Sequence, residues 1–343
     1  MRILRLLLFP FAILYGIITW VRNKLFDWGL KKSYTISLPS ICAGNLSAGG
    51  TGKTPHVLLF NKWLSEENEI TIVSRGYGRK TKGLIVADKN SNAYTIGDEP
   101  MLFHQTKPQP KVIVSEKRIL AIKELEKQKS KTVVILDDAF QHRHVKAGFN
   151  VLMCDFKKPY FKDFMLPTGD LREFKSGEKR ADIVIVSKCP AELSDKERLD
   201  FRKNIHLPKE DIYFSKIVYG EMEKWGEFDL PKELKKIILV TGIANPKPLE
   251  ESLSKKFSLK SLIFPDHHTF TTKDLTVIHE NFGNFASENS IILTTEKDAV
   301  RLEAFKKAGE LKNFPWFVQK MNVQVDRETE LKDKLLAYVR KVS

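Results

Sequence analysis

Short apolar runs alternate with longer mixed stretches along the first 220 residues of the chain. Six of these runs are rich in β-branched and aliphatic side chains, at residues 37–43, 70–74, 111–114, 132–136, 150–154 and 183–187. Helical patterns separate several of them, at 55–64 and 117–128. Strands that are apolar at every position are buried on both faces, as in a parallel sheet covered by helices. The pattern therefore predicts an α/β fold with a doubly wound parallel sheet.

A second, smaller set of alternating elements follows in the last third of the chain. Its predicted strands are 237–241, 261–264 and 290–294, and its predicted helices are 247–257 and 272–281. Between the two sets, the polar stretch 219–236 favours a linker or an extended ribbon, because it contains two glycines and a proline. We predict five segments: an N-terminal helix at 1–30, a large α/β domain at 31–220, a linker at 221–236, a second α/β lobe at 237–320, and a C-terminal helix at 321–343 that packs back on the body.

The N-terminal segment contains sixteen consecutive uncharged residues, LLLFPFAILYGIITWV, at 6–21. A membrane-spanning helix needs about 20 apolar residues, and this run is shorter and is interrupted by a proline and a glycine. A cleaved signal peptide is disfavoured, since no small-x-small site follows. Trp20 and Trp28 suit headgroup depth, and basic residues flank the run. We expect this helix to lie on a membrane surface; the alternative is a helix packed only on the protein body.

The charge balance indicates a polyanionic partner. Lysine and arginine outnumber aspartate and glutamate by 57 to 43, which gives a formal net charge of +14 and a pI near 9.4. Nucleic acid, an anionic membrane or a phosphorylated substrate would each fit. Six basic residues and one acid lie within 1–32, so +5 of the charge surrounds the apolar run. The mean hydropathy of −0.28 excludes a polytopic membrane protein. Three widely spaced cysteines without a Cys-x-x-Cys pair favour a reducing cytosol.

A glycine-rich turn, GNLSAGGTGKTP at 44–55, follows the first predicted strand and precedes a helix. Glycines let backbone N–H groups turn inward around phosphate oxygens, and the helix presents its positive N-terminal end. Lys53 would reach the β- and γ-phosphates, and Thr54 would bind Mg²⁺. The usual pattern begins with glycine where Ser47 stands, so we interpret the turn as a variant phosphate loop of the P-loop NTPase type. Its candidate nucleotide-binding residues are Ser47, Ala48, Gly49, Gly50, Thr51, Gly52, Lys53 and Thr54.

Two carboxylates, Asp137 and Asp138, end the apolar run at 132–136. A pair of aspartates in isolation is usually a solvated turn or a helix cap. Beside a phosphate loop the pair favours a Mg²⁺ site, because Mg²⁺ takes one or two carboxylates together with phosphate oxygens and water.

Three classes of function use such a loop: a small-molecule or lipid kinase, a membrane-cycling regulatory ATPase, and a nucleic-acid-dependent ATPase. The regulatory class carries an additional lysine where Ala48 stands here. A nucleic-acid ATPase needs a helicase core or an aromatic-basic platform, and neither pattern is visible. The sequence therefore favours a kinase, and nucleic acid becomes the least favoured partner.

Several further polar motifs mostly follow predicted strands. They are SRGYGR at 74–79, GDEP at 97–100, DDAFQHRH at 137–144, LPTGDLRE at 166–173 and FPDHHTF at 264–270. Each one alone is also explained as a turn, a cap or a solvated loop. Ligands of open α/β sheets bind beyond the carboxyl ends of the strands, which favours a shared site for these motifs.

Together with TTEKDAVR at 294–301, these motifs resemble those of the tetraacyldisaccharide 4'-kinase family, the lipid A 4'-kinases of Gram-negative bacteria. The resemblance extends from the N-terminus to about residue 301. Ala139 differs, because the family commonly has glycine there. The resemblance implies transfer of the γ-phosphate of ATP to the 4'-hydroxyl of an acylated glucosamine disaccharide 1-phosphate, giving lipid IVA. It also implies a site between two α/β lobes and a membrane-associated N-terminal helix. The alternatives that remain are a regulatory ATPase and a kinase of another acylated sugar.

The resemblance also implies roles for individual residues. Asp98 would act as the base, oriented by His267 across the lobe interface, although which of the two takes the proton stays open. Thr54 and Asp137 or Asp138 would hold Mg²⁺, and Glu173 is a further candidate ligand, directly or through water. The candidate substrate or phosphate residues are Arg75, Arg79, Gln141, His142, Arg143 and Arg172. The expected cofactors are ATP and Mg²⁺, and no protein partner is inferred. The expected location is the cytoplasmic face of a bacterial inner membrane.

Overall fold

The computed structural model describes residues 5–286 and 289–342. Its strands are β1 Tyr34–Thr35, β2 Ser40–Asn45, β3 Glu69–Ser74, β4 Ile85–Val86, β5 Lys111–Val114, β6 Thr132–Asp137, β7 Val145–Lys146, β8 Phe149–Asp155, β9 Ile183–Ser187, β10 Ile212–Lys224, β11 Lys236–Thr241, β12 Ser258–Ile263, β13 Ser290–Thr295 and β14 Trp316–Val325. Its helices are α1 Phe9–Asp27, α2 Lys53–Leu64, α3 Ala93–Ile96, α4 Asp98–Gln105, α5 Arg118–Lys127, α6 Asp195–Asn204, α7 Lys247–Ser254, α8 Thr272–Phe285, α9 Glu296–Lys307 and α10 Glu328–Val342.

One sheet of twelve strands runs through the described part of the chain. Its order is β12-β11-β13-β14-β10-β9-β8-β2-β6-β3-β5-β4. Neighbouring strands are parallel except for the pairs β10–β14 and β4–β5. The predicted α/β class with a doubly wound parallel sheet is therefore confirmed.

The central strands β2, β6 and β9 are buried at every position because they separate two cores. In β2, Ile41 and Ala43 pack into one buried cluster, and Cys42 packs into the cluster on the opposite face. The strand begins at Ser40, three residues later than the apolar run suggests. Pro39, which has no N–H to donate, immediately precedes it. The phosphate-loop segment therefore starts from a strand buried on both sides.

The two halves of the sheet are joined by the antiparallel pair β10–β14. Its register runs from Ser215 opposite Val325 to Lys224 opposite Phe317, with an irregularity between Tyr219 and Met222. Strand β10 thus includes residues 221–224, the start of the stretch 221–236 for which the sequence favours a linker or an extended ribbon. The division into two lobes stays a prediction, since a single sheet spans both. We call residues 31–220 the first lobe and residues 237–320 the second lobe.

The C-terminal helix α10 begins at Glu328. Residues 321–325, which the sequence analysis assigned to this helix, belong to strand β14 instead. Leu331, Leu335 and Val339 lie in the same buried cluster as Phe60 of α2. The helix therefore packs back on the first lobe, beside the helix that follows the phosphate loop.

Helix α1 lies along the first lobe on one face only. Ala12, Gly16 and Phe26 are its buried residues. Most of its large apolar side chains, from Phe9 to Val21, are exposed. Among the described residues, no helix combines the length and hydropathy that crossing a membrane requires.

Candidate active site between the two lobes

Buried polar side chains form hydrogen bonds to the phosphate loop. Asn45 donates from Nδ2 to Thr51 Oγ1 at 2.8 Å, and Ser187 Oγ donates to the Thr51 carbonyl at 2.8 Å. His56 Nδ1 lies 2.7 Å from the carbonyl oxygen of Gly52. Gly52 immediately precedes α2 and has φ +79°. Glycine adopts this left-handed conformation without the steric cost of a Cβ. The predicted loop therefore opens a helix and is braced by three neighbouring elements.

Ser47, where the sequence departs from the usual pattern, is buried and pairs in an antiparallel bridge with Leu171. The next amide, Ala48 N–H, donates to the Asp170 carbonyl at 2.6 Å. The backbone of this position is therefore tied to the LPTGDLRE segment at 166–173. A residue with an ordinary backbone conformation suffices there.

Asp138 is bound by two cations at the mouth of the loop. Lys53 Nζ lies 3.6 Å from Asp138 Oδ1. Arg172 donates to both carboxylate oxygens, with Nη2 to Oδ1 at 2.8 Å and Nη1 to Oδ2 at 3.2 Å. Burial of Asp138 opposes its ionisation, but Lys53 and Arg172 outweigh that effect and lower its pKa to about 2. The structure thus gathers the predicted Lys53, Asp138 and Arg172 at one point.

Asp137 has the opposite environment. It is buried and accepts a hydrogen bond from Ser74 Oγ at 2.8 Å. Burial raises its pKa to about 7, and the negative charges of Glu99 and Asp138 add to the effect. Thr54 Oγ1 donates to Glu99 Oε1 at 3.1 Å. The carboxylates of Asp137 and Glu99 and the Thr54 hydroxyl therefore lie close together beside the loop.

These oxygens fit a Mg²⁺ ion. Within the described residues, no three His, Cys, Asp or Glu side chains converge into a complete metal site. Mg²⁺ does not need one, since it binds through one or two carboxylates and completes its octahedron with phosphate oxygens and water. Burial, with the negative charges of Glu99 and Asp138, raises the pKa of Asp137, and a divalent cation would favour its ionised form.

Glu173, expected near the metal, has other partners. Its Oε1 accepts from Gln141 Nε2 at 2.9 Å, and its Oε2 accepts from Asn23 Nδ2 at 2.9 Å. Arg180 Nη2 lies 2.7 Å from the same Oε2. Because α1 supplies Asn23, the structure places Glu173 in the contact between α1 and the body. Its two oxygens are already engaged there.

Three of the expected substrate residues also bind within the protein. Gln141 donates from Nε2 to the Asn45 carbonyl at 2.7 Å. Arg143 donates to the Asn23 carbonyl at 2.8 Å and to Asp27 Oδ1 at 2.7 Å. The side chain of Arg79 is only 2% exposed and donates to Glu116 at 2.5 Å.

Arg75 and His142 belong to a positively charged region beside the two aspartates. Arg75 is exposed. Burial of His142, together with the positive charges of Arg118, His144, Arg22 and Arg75, lowers its pKa to about 4. The imidazole is therefore neutral near pH 7, among groups that favour an anion.

The two candidate residues for proton transfer meet across the lobes. Asp98 begins α4 in the first lobe, and His267 follows β12 in the second. His267 Nδ1 lies 3.0 Å from Asp98 Oδ2. Gly97, at φ +94°, allows the close approach of the Tyr77 carbonyl, which a Cβ would meet at 2.8 Å. The structure thus brings together residues 169 positions apart in sequence.

Helix α9 adds two cations that the sequence analysis did not assign to the site. Lys297 Nζ donates to Glu99 Oε1 at 2.6 Å, and Arg301 Nε donates to Asp98 Oδ2 at 2.8 Å. Both residues lie in the TTEKDAVR motif, directly after β13. Their position directly after a predicted strand was the sequence signal that could have assigned them to the site. The same polar residues also begin ordinary helices, so this signal alone did not single them out.

Comparison with known proteins identifies the family. The family model described as tetraacyldisaccharide-1-P 4'-kinase (LpxK) matches residues 4–340. The chain belongs to this family. A tetraacyldisaccharide 4'-kinase from Flavobacterium johnsoniae is 46% identical over 92% of each chain. One from Bacteroides thetaiotaomicron is 39% identical, covering 97% of this chain and 93% of its relative.

A solved member of the LpxK family has the same overall structure. It is the Aquifex aeolicus LpxK in complex with ATP, which is 29% identical, has a TM-score of 0.75, and matches 98% of this chain and 99% of its own. The sequence-based assignment to the family and to the ATP-dependent kinases is therefore confirmed. The roles of the individual site residues stay predictions.

Proposed function

We propose that the protein transfers the γ-phosphate of ATP to the 4'-hydroxyl of a tetraacyldisaccharide 1-phosphate in lipid A biosynthesis. One observation carries the proposal beyond membership of the family. The Asp98–His267 pair adjoins the phosphate loop, because Glu99, the residue after Asp98, accepts a hydrogen bond from Thr54. A proton acceptor next to a phosphate site is the arrangement that a kinase with an alcohol acceptor requires.

Residues 47–54 would hold the nucleotide. Backbone N–H groups of the loop and the N-terminal end of α2 favour phosphate oxygens. Lys53 would exchange its contact with Asp138 for the β- and γ-phosphates, and Arg172 would keep Asp138 ionised. Phosphoryl transfer depends chiefly on positioning and charge neutralisation, which these cations supply.

Mg²⁺ would bind to Thr54 and to Asp137 or Asp138, with Glu99 beside them. When bound, it would neutralise charge on the β- and γ-phosphate oxygens. Glu173, with both oxygens already bonded, would act indirectly by supporting Gln141 and α1.

Asp98 would take the proton of the sugar hydroxyl. The hydroxyl oxygen forms a bond to the γ-phosphorus as the bond between that phosphorus and the bridging oxygen of ADP breaks. The hydroxyl proton passes to Asp98, and His267 keeps the carboxylate oriented. A carboxylate suffices because the alcohol becomes acidic as its oxygen bonds to phosphorus.

The substrate would reach this site from the side of α1. Arg75, His142 and Arg172 would bind the phosphorylated sugar. Arg79, Gln141 and Arg143, which have partners within the protein, would keep the surrounding loops in place.

We further propose that α1 lies in the surface of an anionic membrane, at the cytoplasmic face of a bacterial inner membrane. Its exposed apolar side chains are continuous along one face, and Phe174, 41% exposed, lies against it at Gly16. Lys31 and Lys32 are exposed just beyond the helix. Each basic residue near an anionic surface contributes about 1 kcal/mol of attraction.

The test is incubation with Mg-ATP and purified tetraacyldisaccharide 1-phosphate, scored by mass spectrometry. The lipid is expected to gain one phosphate, and Lys53→Ala is expected to abolish the gain. ATP hydrolysis without a phosphorylated lipid would contradict the proposal and favour a regulatory ATPase. Phosphorylation only of a different acylated sugar would correct the substrate.

A further inference from the structure

Arg301 connects the second lobe to the proposed base. Its Nε donates to Asp98 Oδ2 at 2.8 Å, and its side chain is 5% exposed. Asp98 lies in the first lobe and Arg301 in α9 of the second. This ion pair therefore joins the two lobes at the proposed point of proton transfer.

A buried carboxylate fixes the guanidinium from behind. Asp298, 0% exposed, accepts from Arg301 Nη1 at 2.8 Å through Oδ1. Its Oδ2 accepts from Thr241 Oγ1 at 2.9 Å, from Gly242 N–H at 3.1 Å and from Thr295 Oγ1 at 2.7 Å. Both oxygens of Asp298 are thus bonded to the ends of β11 and β13 and to α9. This rigid support leaves Arg301 little freedom to move away from Asp98.

The two oxygens of Asp98 have different surroundings. Oδ2 accepts from Arg301 Nε and lies 3.0 Å from His267 Nδ1. Oδ1 has no hydrogen-bond partner among residues 5–286 and 289–342. Arg301 Nη2 also lies 3.2 Å from His267 Nδ1, but a guanidinium only donates. When Nδ1 of His267 is protonated, it donates a hydrogen bond to Asp98 and cannot accept one from Arg301. Arg301 then acts on the Asp98 carboxylate and not on the imidazole ring.

We propose that Arg301 is a positioning residue for phosphoryl transfer. It holds Oδ2 of Asp98 from the second lobe and so directs Oδ1 toward the hydroxyl of the acceptor. The base is in place only while the second lobe is docked, which couples lobe contact to catalysis. This inference rests on the proposed function.

Arginine is suited to this role in a way that lysine is not. Its planar guanidinium presents several N–H groups in fixed directions, and here Nε and Nη1 bind Asp98 and Asp298 at once. Lysine would bring the same charge as a single flexible ammonium. The conservative variant therefore separates geometry from charge.

The experiment compares Arg301→Gln and Arg301→Lys with the wild-type full-length protein in the lipid phosphorylation assay. We expect kcat to fall roughly 100-fold in Arg301→Gln, because misplacement of a reacting group by about 1 Å has an effect of this size. Arg301→Lys should recover part of the loss. The KM for ATP should change by less than about threefold, since the hydrogen bonds and ion pairs of Arg301 within the described residues go to Asp98, Gly242, His267 and Asp298 and not to residues 47–54. Arg327→Gln, which removes a guanidinium bonded to Glu330 and the Ile212 carbonyl, is the matched control for loss of a partly buried arginine.

A double-mutant cycle with Asp98→Asn distinguishes positioning from a general structural role. If Arg301 acts through Asp98, Arg301→Gln should slow the Asp98→Asn protein by no more than about twofold. A full 100-fold loss in that background would overturn the inference, as would wild-type kcat in Arg301→Gln or a loss confined to the KM for ATP.

If Arg301→Gln does not fold, the same cycle with Arg301→Lys decides. A wild-type protein that makes no phosphorylated lipid would overturn the proposed function and the inference with it, whereas an active wild type with an unimpaired Arg301→Gln would overturn the inference alone.

Discussion

At the scale of single residues, Asp137 and Asp138 show how far the environment separates two identical neighbours. Asp138 bonds to Arg172 and lies near Lys53, so its pKa falls to about 2. Asp137 is buried and faces other carboxylates, so its pKa rises to about 7. The pair thus divides into an ionised anchor for cations and a carboxylate that a cation would stabilise in its charged form.

His56 is another buried residue whose surroundings determine its charge. Its Nδ1 lies 2.7 Å from the Gly52 carbonyl, and its Nε2 lies 2.9 Å from Ser215 Oγ. A neutral ring satisfies both contacts, with Nδ1–H donating and Nε2 accepting from the hydroxyl. Burial lowers the pKa of His56 to about 4, although the hydrogen bond to Gly52 opposes the shift.

We predict that His56 lowers the stability of the folded protein in mild acid. Below about pH 6.5 the unfolded chain binds a proton at this residue and the folded chain does not, so the free energy of unfolding falls as the pH is lowered from 6.5 to 4. The pKa difference corresponds to roughly 3 kcal/mol. Urea unfolding between pH 4 and 8 should show a shallower decline for His56→Gln than for the wild type. Parallel curves for the two proteins would contradict the prediction.

At the scale of elements, α1 is defined by two different faces. Gly16 lets the ring of Phe174 approach, since a Cβ there would lie 3.1 Å from the ring. Tyr15 Oη donates to the Arg172 carbonyl at 3.1 Å, and Arg22 Nη2 donates to the Gln141 carbonyl at 2.9 Å. The inner face is therefore bonded to the loops around the site. The outer face is apolar and exposed, which a monomer in water would rarely tolerate over such a length.

We predict that the outer face of α1 is needed for membrane binding but not for folding. Ile17 and Ile18 are 53% and 58% exposed, so Ile17→Asp with Ile18→Asp should leave the thermal unfolding temperature nearly unchanged. The double variant should lose co-sedimentation with vesicles that contain phosphatidylglycerol, because burying a charge in the acyl region is costly. Val277→Asp, at a 48% exposed position of α8, is the control and should still sediment. Full sedimentation of the double variant would show that α1 is not the membrane contact.

At the scale of the whole molecule, the site is assembled where the two lobes touch. The ribbon β10–β14 makes the sheet continuous, and α9 docks on α4 through Arg301–Asp98 and Lys297–Glu99. Groups from both lobes therefore surround the mouth of the phosphate loop. A ligand bound there would contact residues of each lobe and oppose their separation.

We predict that Mg-ATP stabilises the folded protein. A ligand that binds only the folded state at about 100 times its Kd contributes about 3 kcal/mol, which should raise the apparent Tm by several degrees. Differential scanning fluorimetry should detect the rise in the wild type and in Arg327→Gln. Lys53→Ala should lose most of it, because the cation that meets the phosphates is gone. An equal rise in Lys53→Ala would place the nucleotide elsewhere.

Local patterns predicted much of this protein because they report local physics. Mostly apolar runs identified most of the central parallel strands, and the glycines before Lys53 identified the phosphate loop. The same reasoning missed α6, which buries only Phe201 and is otherwise strongly polar. It also missed β14, and it extended the C-terminal helix across part of that strand. The pairing of β14 with β10 is a contact between distant segments that no local period reports.

The sequence by itself determined the α/β class, the phosphate loop and, through its motifs, the kinase family, because each depends on short segments with their own conformational demands. Only the tertiary structure decided which side chains face one another. It joined Asp98 to His267 and Arg301, moved Glu173 to the contact with α1, and gave Asp137 and Asp138 opposite electrostatic environments. Those outcomes depend on burial and on charges brought together from distant parts of the chain, and such distances are set by the fold as a whole.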